Sequence, residues 1–274
     1  MSAAGVSPAD QGVVECTVTD RIAHVVISNQ SKRNALTQHM CLELKDLMHS
    51  LTDDPSVALV AVSGAGPDFS AGASIEELPS ILFEQMPDGG YVDHFSAADS
   101  ALTQVKKPTV ALVQGVCMGG GWQIASACDF IVASSNATFA VTPAKIGILY
   151  PRSGVDRLVR HVGPARAKYI LMTGKTFTAC QAQDLGLIAD VVKQDEFGAR
   201  TNELLEVLLK RSRFTQIKTK EYIDAPSPAA QQADAIWSRN WSEMIEGEDR
   251  QVGVEAFRQR IEPRFTWTAP AEQR

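Results

Sequence analysis

Thr109-Val-Ala-Leu-Val-Gln-Gly-Val-Cys-Met-Gly-Gly-Gly-Trp-Gln-Ile-Ala125 carries a β-branched apolar run, a glycine triplet and then apolar residues at helical spacing. Thr109–Val113 reads as a buried strand, and Trp122, Ile124, Ala125 and Cys128 share one helical face. Gly119–Gly120–Gly121 lies at the junction. Glycine admits positive φ and close backbone approach. Amides at the start of a helix, beside the positive end of its dipole, can hold an oxyanion. The same glycines also serve an ordinary tight strand-to-helix turn.

Outward from this stretch, strands and helices alternate. Val13–Val18 and Ile22–Ser28 are β-branched runs separated by Thr19–Asp20–Arg21, which predicts a hairpin. Thr37 can cap a helix carrying Met40, Leu44, Leu47 and Leu51. Val57–Ser63 reads as a buried strand. Phe69-Ser-Ala-Gly-Ala-Ser-Ile75 is a second small-residue bend before a helix with Ile75, Leu78 and Leu82. Met86–Gly90 breaks the pattern, and a helix is expected over Tyr91–Val105. Phe130–Ala133 returns as a strand. From Ser153 the chain reads mainly helical, with starts near Pro164, Thr178 and Gln194 and a break at Pro226–Ser227–Pro228. This order predicts an α/β fold: a loose tail over 1–12, a core over 13–195 and a helical region over 196–274.

The 274 residues are 45% hydrophobic and 21% charged, which suits a globular chain and excludes a disordered one. With 26 Lys and Arg against 32 Asp and Glu, the net charge of −6 argues against a nucleic-acid partner. It leaves room for a local basic rim. The apolar stretch Val110–Ala133 is interrupted by Gln114, Gln123 and Asp129, a poor membrane span. Met1–Gly12 lacks the basic start and apolar core of a signal peptide. Cys16, Cys41, Cys117, Cys128 and Cys180 are odd in number and widely spaced. They read as reduced, buried thiols of a cytoplasmic protein, with no metal site.

Together the two bends resemble the enoyl-CoA hydratase/isomerase (crotonase) family. The resemblance runs in order through Lys32-Arg-Asn-Ala-Leu36, Phe69-Ser-Ala-Gly-Ala73, Lys107-Pro-Thr-Val110, Gly115-Val-Cys-Met-Gly-Gly-Gly121, Cys128-Asp129, Phe139, Ala179–Gly186 and Ala256-Phe-Arg-Gln-Arg260 with Pro263–Phe265. It implies a spiral of ββα repeats, a helical C-terminal trimerisation region, and a homotrimer or dimer of trimers. It implies a coenzyme A thioester as substrate, with no other cofactor. The Ala73 and Gly120 amides would form an oxyanion hole, with Ala71, Ile75, Gly119 and Pro143 around the substrate. Lys32 and Arg33 would meet the coenzyme's phosphates and adenine. Phe257 and Arg260 stand where the family places an aromatic and a basic residue, often supplied by the next subunit.

Hydratases of this family carry two glutamates. Here Gln123 and Pro143 stand in their places, and a one-residue slip at the second gives Thr142 or Ala144. A third acid place, near Pro151, is also empty. Thr142-Pro-Ala-Lys-Ile-Gly-Ile-Leu-Tyr150 is similar instead to methylmalonyl-CoA decarboxylase-type members, where Tyr150 would bond the substrate carboxylate or help protonate an enolate. Ala73 departs from that pattern, since such members can carry His there. Three readings stay open: an enolate-stabilising lyase without an acid pair, a divergent hydratase or isomerase recruiting Glu76, Glu77 or Asp156, and a non-catalytic acyl-CoA binder.

Overall fold

Asp20 and Arg21 both take left-handed backbone, with φ of 50° and 67°. A two-residue hairpin turn needs this to match the strand twist. They join β1 (Val13–Thr19) to β2 (Ile22–Ser28) as an antiparallel pair with Thr19 opposite Ile22. The computed structural model describes residues 12–211, 213–224, 241–242, 244–261 and 263. Apart from Gly12, the expected tail lies outside the described residues, as does the Pro226–Pro228 break.

In chain order α1 (Gln38–Asp53) is followed by β3 (Leu59–Gly64), α2 (Leu78–Leu82), β4 (Glu84–Gln85), β5 (Tyr91–Val92), α3 (His94–Thr103), β6 (Thr109–Val113), β7 (Val116–Met118), α4 (Gly120–Ala127), β8 (Phe130–Ser134) and β9 (Thr138–Ala140). Then come α5 (Arg152–Thr173), β10 (Thr176–Thr178), α6 (Ala179–Leu185), β11 (Asp190–Val192), α7 (Phe197–Leu209), α8 (Arg213–Asp224) and α9 (Asp249–Gln259).

The main sheet has the order β1-β2-β3-β6-β8-β11, and every pairing from β2 onward is parallel. Parallel strands are covered on both faces, which explains their continuous apolar runs. One face packs on α1, α3 and α4. The other presents Ile22, Leu59, Ala61, Val110 and Val132 to Phe197 and Leu205 of α7. A second sheet, β10-β9-β7, stands beside it. The chain steps from β6 to β7 through Gly115, at φ 54°, where a Cβ would fall 2.3 Å from the Pro67 carbonyl oxygen. β6, β7 and α4 thus make one ββα turn of the expected spiral.

The Thr37 hydroxyl accepts the Met40 N–H at 3.2 Å, so α1 starts where its cap predicts. Met40, Leu44 and Leu51 are buried, with Cys41 and Met48, whereas Leu47 is half-buried. Several expectations need correction. The helix expected from Tyr91 starts at His94, because Asp93 caps it and Tyr91–Val92 pairs with Glu84–Gln85. α4 has no single apolar face: every residue from Gly121 to Ala127 is buried. The helical third contains two strands, β10 and β11, three residues each and too short to show a period. α5 bends at Gly163, φ 75°, ahead of Pro164. All five cysteines are free, but Cys180 is exposed and Cys16 only half-buried. Burial pushes the Cys128 thiol up to about 12 and raises that of Cys117 well above its ordinary value, so both stay protonated.

After β11 the named elements among the described residues are helices. Lys220 of α8 is anchored to Asp129 at 2.8 Å. Gly253 of α9 seats directly on the Ile146 backbone, where a Cβ would come within 2.2 Å of the carbonyl oxygen. No helix among the described residues is long and apolar enough to cross a membrane.

Candidate active site

The two bends are stitched together by their backbones. Ser70 donates to the Val116 carbonyl at 2.9 Å and accepts from Met118 at 3.0 Å. Ala71 donates to Arg33, Gly72 to the Ser70 hydroxyl, and Ser74 to Leu36. On the other side Gly119 donates to Ala140 at 2.7 Å. Between these engaged groups, the Ala73 and Gly120 N–H groups have no protein acceptor among the described residues. Gly120 opens α4, so helix geometry gives its amide no internal partner. The two amides also lie close together. A Cβ on Gly120 would stand 3.0 Å from the Ala73 nitrogen, and one on Gly72 would stand 3.1 Å from the Gly120 nitrogen.

Both open onto a narrow cavity of about 70 Å³. Its walls bring together Ala71, Ala73 and Ile75 from the first bend, Gly119, Gly120 and Gln123 from the second, and Pro143 and Tyr150 from the segment after β9. Apart from Thr142 the rest is apolar, chiefly Leu78, Leu82, Phe95, Ile146 and Ile148. No carboxylate lines it among the described residues. Phe95 was legible only as part of a helix, and nothing in its local pattern marked it as touching Gly120.

Gln123 is fully buried. Its Nε2 donates to the Ser153 hydroxyl at a long 3.4 Å, and its Oε1 has no partner. One hydrogen-bonding valence of this carboxamide is therefore open. The Gln123 backbone carbonyl accepts from Arg157 Nη1 at 3.2 Å. Tyr150 is also buried, and desolvation raises its phenol well above the ordinary range, so it stays protonated. A carbonyl carries no hydrogen, so the 2.8 Å contact from Tyr150 Oη to the Gly119 oxygen has the phenol as donor. The hydrogen expected for a substrate carboxylate is aimed at the chain's own backbone.

The charged residues expected at the site lie away from these walls. Lys32 pairs with Glu76 at 2.7 Å, and Arg33 is exposed with Nε 3.7 Å from Asp68. Phe257 is 56% exposed, and neither it nor Arg260, which caps the end of α9, is among the described wall residues of the cavity. The α9 residue near the Lys32–Glu76 pair is Arg258. Lys32 chiefly, and Arg258 more weakly, hold the Glu76 carboxyl below its usual range. The acids of the divergent-hydratase reading are engaged elsewhere. Glu76 faces Lys32, Glu77 accepts the Gln38 N–H at 3.1 Å, and Asp156 pairs with Arg152. No cluster of metal-ligating side chains occurs among the described residues.

A larger cavity, about 610 Å³, lies between α5 and α8 and shares no wall residue with the first. Its Lys220 and Arg157 are already paired with Asp129 and Asp99. The two open amides lie on the walls of the smaller one.

The family profile described as enoyl-CoA hydratase/isomerase matches residues 17–268. A probable enoyl-CoA hydratase of Mycobacterium bovis is 27% identical over 247 residues, covering 90% of this chain and 95% of its own. The 2,3-dehydroadipyl-CoA hydratase of Escherichia coli is 28% identical, covering 89% and 95%. Among solved structures, an enoyl-CoA hydratase/isomerase family member is 50% identical with a TM-score of 0.77, covering 94% of this chain and 98% of its own. An enoyl-CoA hydratase from Mycobacterium avium subsp. paratuberculosis is 30% identical with a TM-score of 0.80, covering 92% and 98%. A methylmalonyl-CoA decarboxylase structure, 23% identical with a TM-score of 0.80 and covering 92% and 97%, shares the fold. Bends, sheets and matches along nearly the whole length agree that this chain belongs to the enoyl-CoA hydratase/isomerase family.

Proposed function

We propose that this acyl-CoA enzyme is a lyase that decarboxylates a carboxyacyl-CoA through a thioester enolate. The observation that carries the reading is a cavity with two open amides and no carboxylate among its described wall residues. In the step, the bond from Cα to the carboxyl group breaks and CO₂ leaves. Its electron pair moves onto Cα and the thioester carbonyl, whose oxygen gains negative charge. The Ala73 and Gly120 N–H groups receive that oxygen. Each such donor is typically worth about 2.7–4 kcal/mol. A solvent proton then reaches Cα. No strong base is needed, because the leaving CO₂ generates the enolate. A wall carboxylate would repel the substrate's own. Gln123, with no proton to exchange, fits this chemistry better than hydration.

The curated relatives named hydratases favour a second reading, hydration by a divergent constellation. General acid–base groups are each worth about 10²–10⁴-fold, so a site without them hydrates slowly. The deciding experiment measures CO₂ release from malonyl-CoA and methylmalonyl-CoA beside hydration of crotonyl-CoA. Release without hydration supports the lyase. Crotonyl-CoA turnover near ~10 s⁻¹ supports the hydratase, and tight binding of thioesters with no turnover supports a binder. We further propose a cytoplasmic homotrimer or dimer of trimers joined through the helical C-terminal region. The exposed Phe257 and Ile261 on that region support it, and light scattering on the purified chain tests it.

A further inference from the structure

We infer that Tyr150 is the positioning residue of the oxyanion site: its hydroxyl holds the Gly119–Gly120 peptide so that the Gly120 N–H faces the cavity. This rests on the reading of Ala73 and Gly120 as donors to a thioester oxygen.

The Gly119 carbonyl and the Gly120 N–H belong to one planar trans peptide and point in opposite directions. Whatever fixes the carbonyl fixes the amide. Gly119 sits at φ 50° and ψ −112°, a conformation that only glycine adopts readily, so local sterics restrain this peptide weakly. Among the described residues two groups restrain it instead. The Gln123 N–H donates to the carbonyl at 3.2 Å, the first turn of α4, and the Tyr150 hydroxyl donates at 2.8 Å. The phenol makes the shorter bond. It also polarises the peptide, since a carbonyl that accepts makes its own amide a better donor.

The phenol is held in turn. Its ring is buried and lies over Gly154, where a Cβ would fall 2.5 Å from the ring carbon Cε1. The hydroxyl therefore has little freedom to leave the Gly119 oxygen. Tyr150 acts on the reacting oxygen through one peptide, and its own hydrogen does not reach the substrate.

The test compares the wild-type chain with Tyr150→Phe and with a chain carrying 3-fluorotyrosine at position 150, a stronger donor. With ¹⁵N-glycine labelling, the Gly120 amide proton of the unliganded protein is expected upfield in Tyr150→Phe and downfield in the fluorinated chain. The carbonyl stretch of bound butyryl-CoA is expected to move toward its solution value in Tyr150→Phe. Turnover is expected to fall about 3- to 10-fold, as for one lost hydrogen bond, with KM unchanged. A structural role alone would not give shifts of opposite sign, and the fluorinated chain decides the matter should Tyr150→Phe fold poorly. A Gly120 amide that moves in neither variant, while the wild type perturbs the butyryl-CoA carbonyl, overturns the role of Tyr150 alone. A carbonyl unperturbed in the wild type overturns the oxyanion reading, and this proposal falls with it.

Discussion

Arg157 and Asp99 meet beneath the candidate site in a two-pronged ion pair, with Nη1–Oδ1 at 2.8 Å, Nη2–Oδ2 at 3.2 Å and the carboxylate fully buried. The same guanidinium donates to the Gln123 carbonyl at 3.2 Å and to the Thr103 hydroxyl at 3.1 Å. One side chain of α5 thus ties down α3, which supplies Phe95, and α4, which supplies Gln123. Removing one partner strands a buried charge and typically costs about 3–5 kcal/mol. Arg157→Met is expected to lose stability on that scale in urea unfolding. Asp99→Leu added to it is expected to recover part of the loss, because no charge is then left unpaired.

Gly120→Ala places a methyl group 2.7 Å from the Phe95 ring and 3.0 Å from the Ala73 nitrogen. The ring can move, but the gap between the two amides is filled. Turnover is expected to fall by about two to three decades, the scale of a lost oxyanion donor. Phe95→Leu in the same chain is expected to restore the melting temperature without restoring turnover. Recovery of both together would mean that the amides serve only the fold.

Gln123→Glu puts an acid on the cavity wall, at the place where the resemblance implies the first glutamate of hydratases. The site is fully buried, so the new carboxyl is expected to titrate above its ordinary range. Its folded pKa exceeds its unfolded one. Stability should therefore be retained below about pH 4 and fall as pH rises through the folded value. Release of CO₂ is expected to drop about one to two decades through repulsion of the substrate carboxylate. Crotonyl-CoA hydration should not appear, since Pro143 leaves the second acid place apolar. Parallel assays on both substrates across pH check this.

Asp93 caps α3 by accepting the Ser96 N–H at 2.8 Å. Burial is the main cause that lifts its carboxyl from 3.8 to about 6, against the Ser96 hydrogen bonds and with a smaller push from Asp99. The folded state therefore binds the proton more tightly than the unfolded state. Its contribution is favourable below about pH 4 and is lost as pH rises to about 6. Asp93→Asn keeps a capping side chain and removes the charge. Denaturant midpoints measured from pH 4 to 7 are expected to lose this slope, with a gain of up to roughly 3 kcal/mol at pH 7.

The sequence made much of this legible, because the signals were local. Thr37 marked the start of α1, Asp20–Arg21 the hairpin, and Thr109–Val113 the strand that feeds the glycine bend. Elements without a local signal were misjudged. Three residues of β10 or β11 show no periodicity, and Tyr91–Val92 paired with a strand that only the fold could supply. Asp99 offered a missed clue, a charge among the apolar positions Phe95, Ala98 and Leu102 of one helix. Its partner lies 58 residues away, and no local pattern joins them.

By itself the amino-acid order determined the elements that carry a local signal and which residue stands at each place, Gln123 and Pro143 among them, since glycine bends, caps and side-chain types are properties of single positions. Only the packed chain decided that the Ala73 and Gly120 nitrogens lie side by side, that the Tyr150 hydrogen points at Gly119, and that Phe257 faces outward. Those are relations between residues distant in sequence. They are fixed by the pairing of two bends across β7 and by which face of each helix the core could bury.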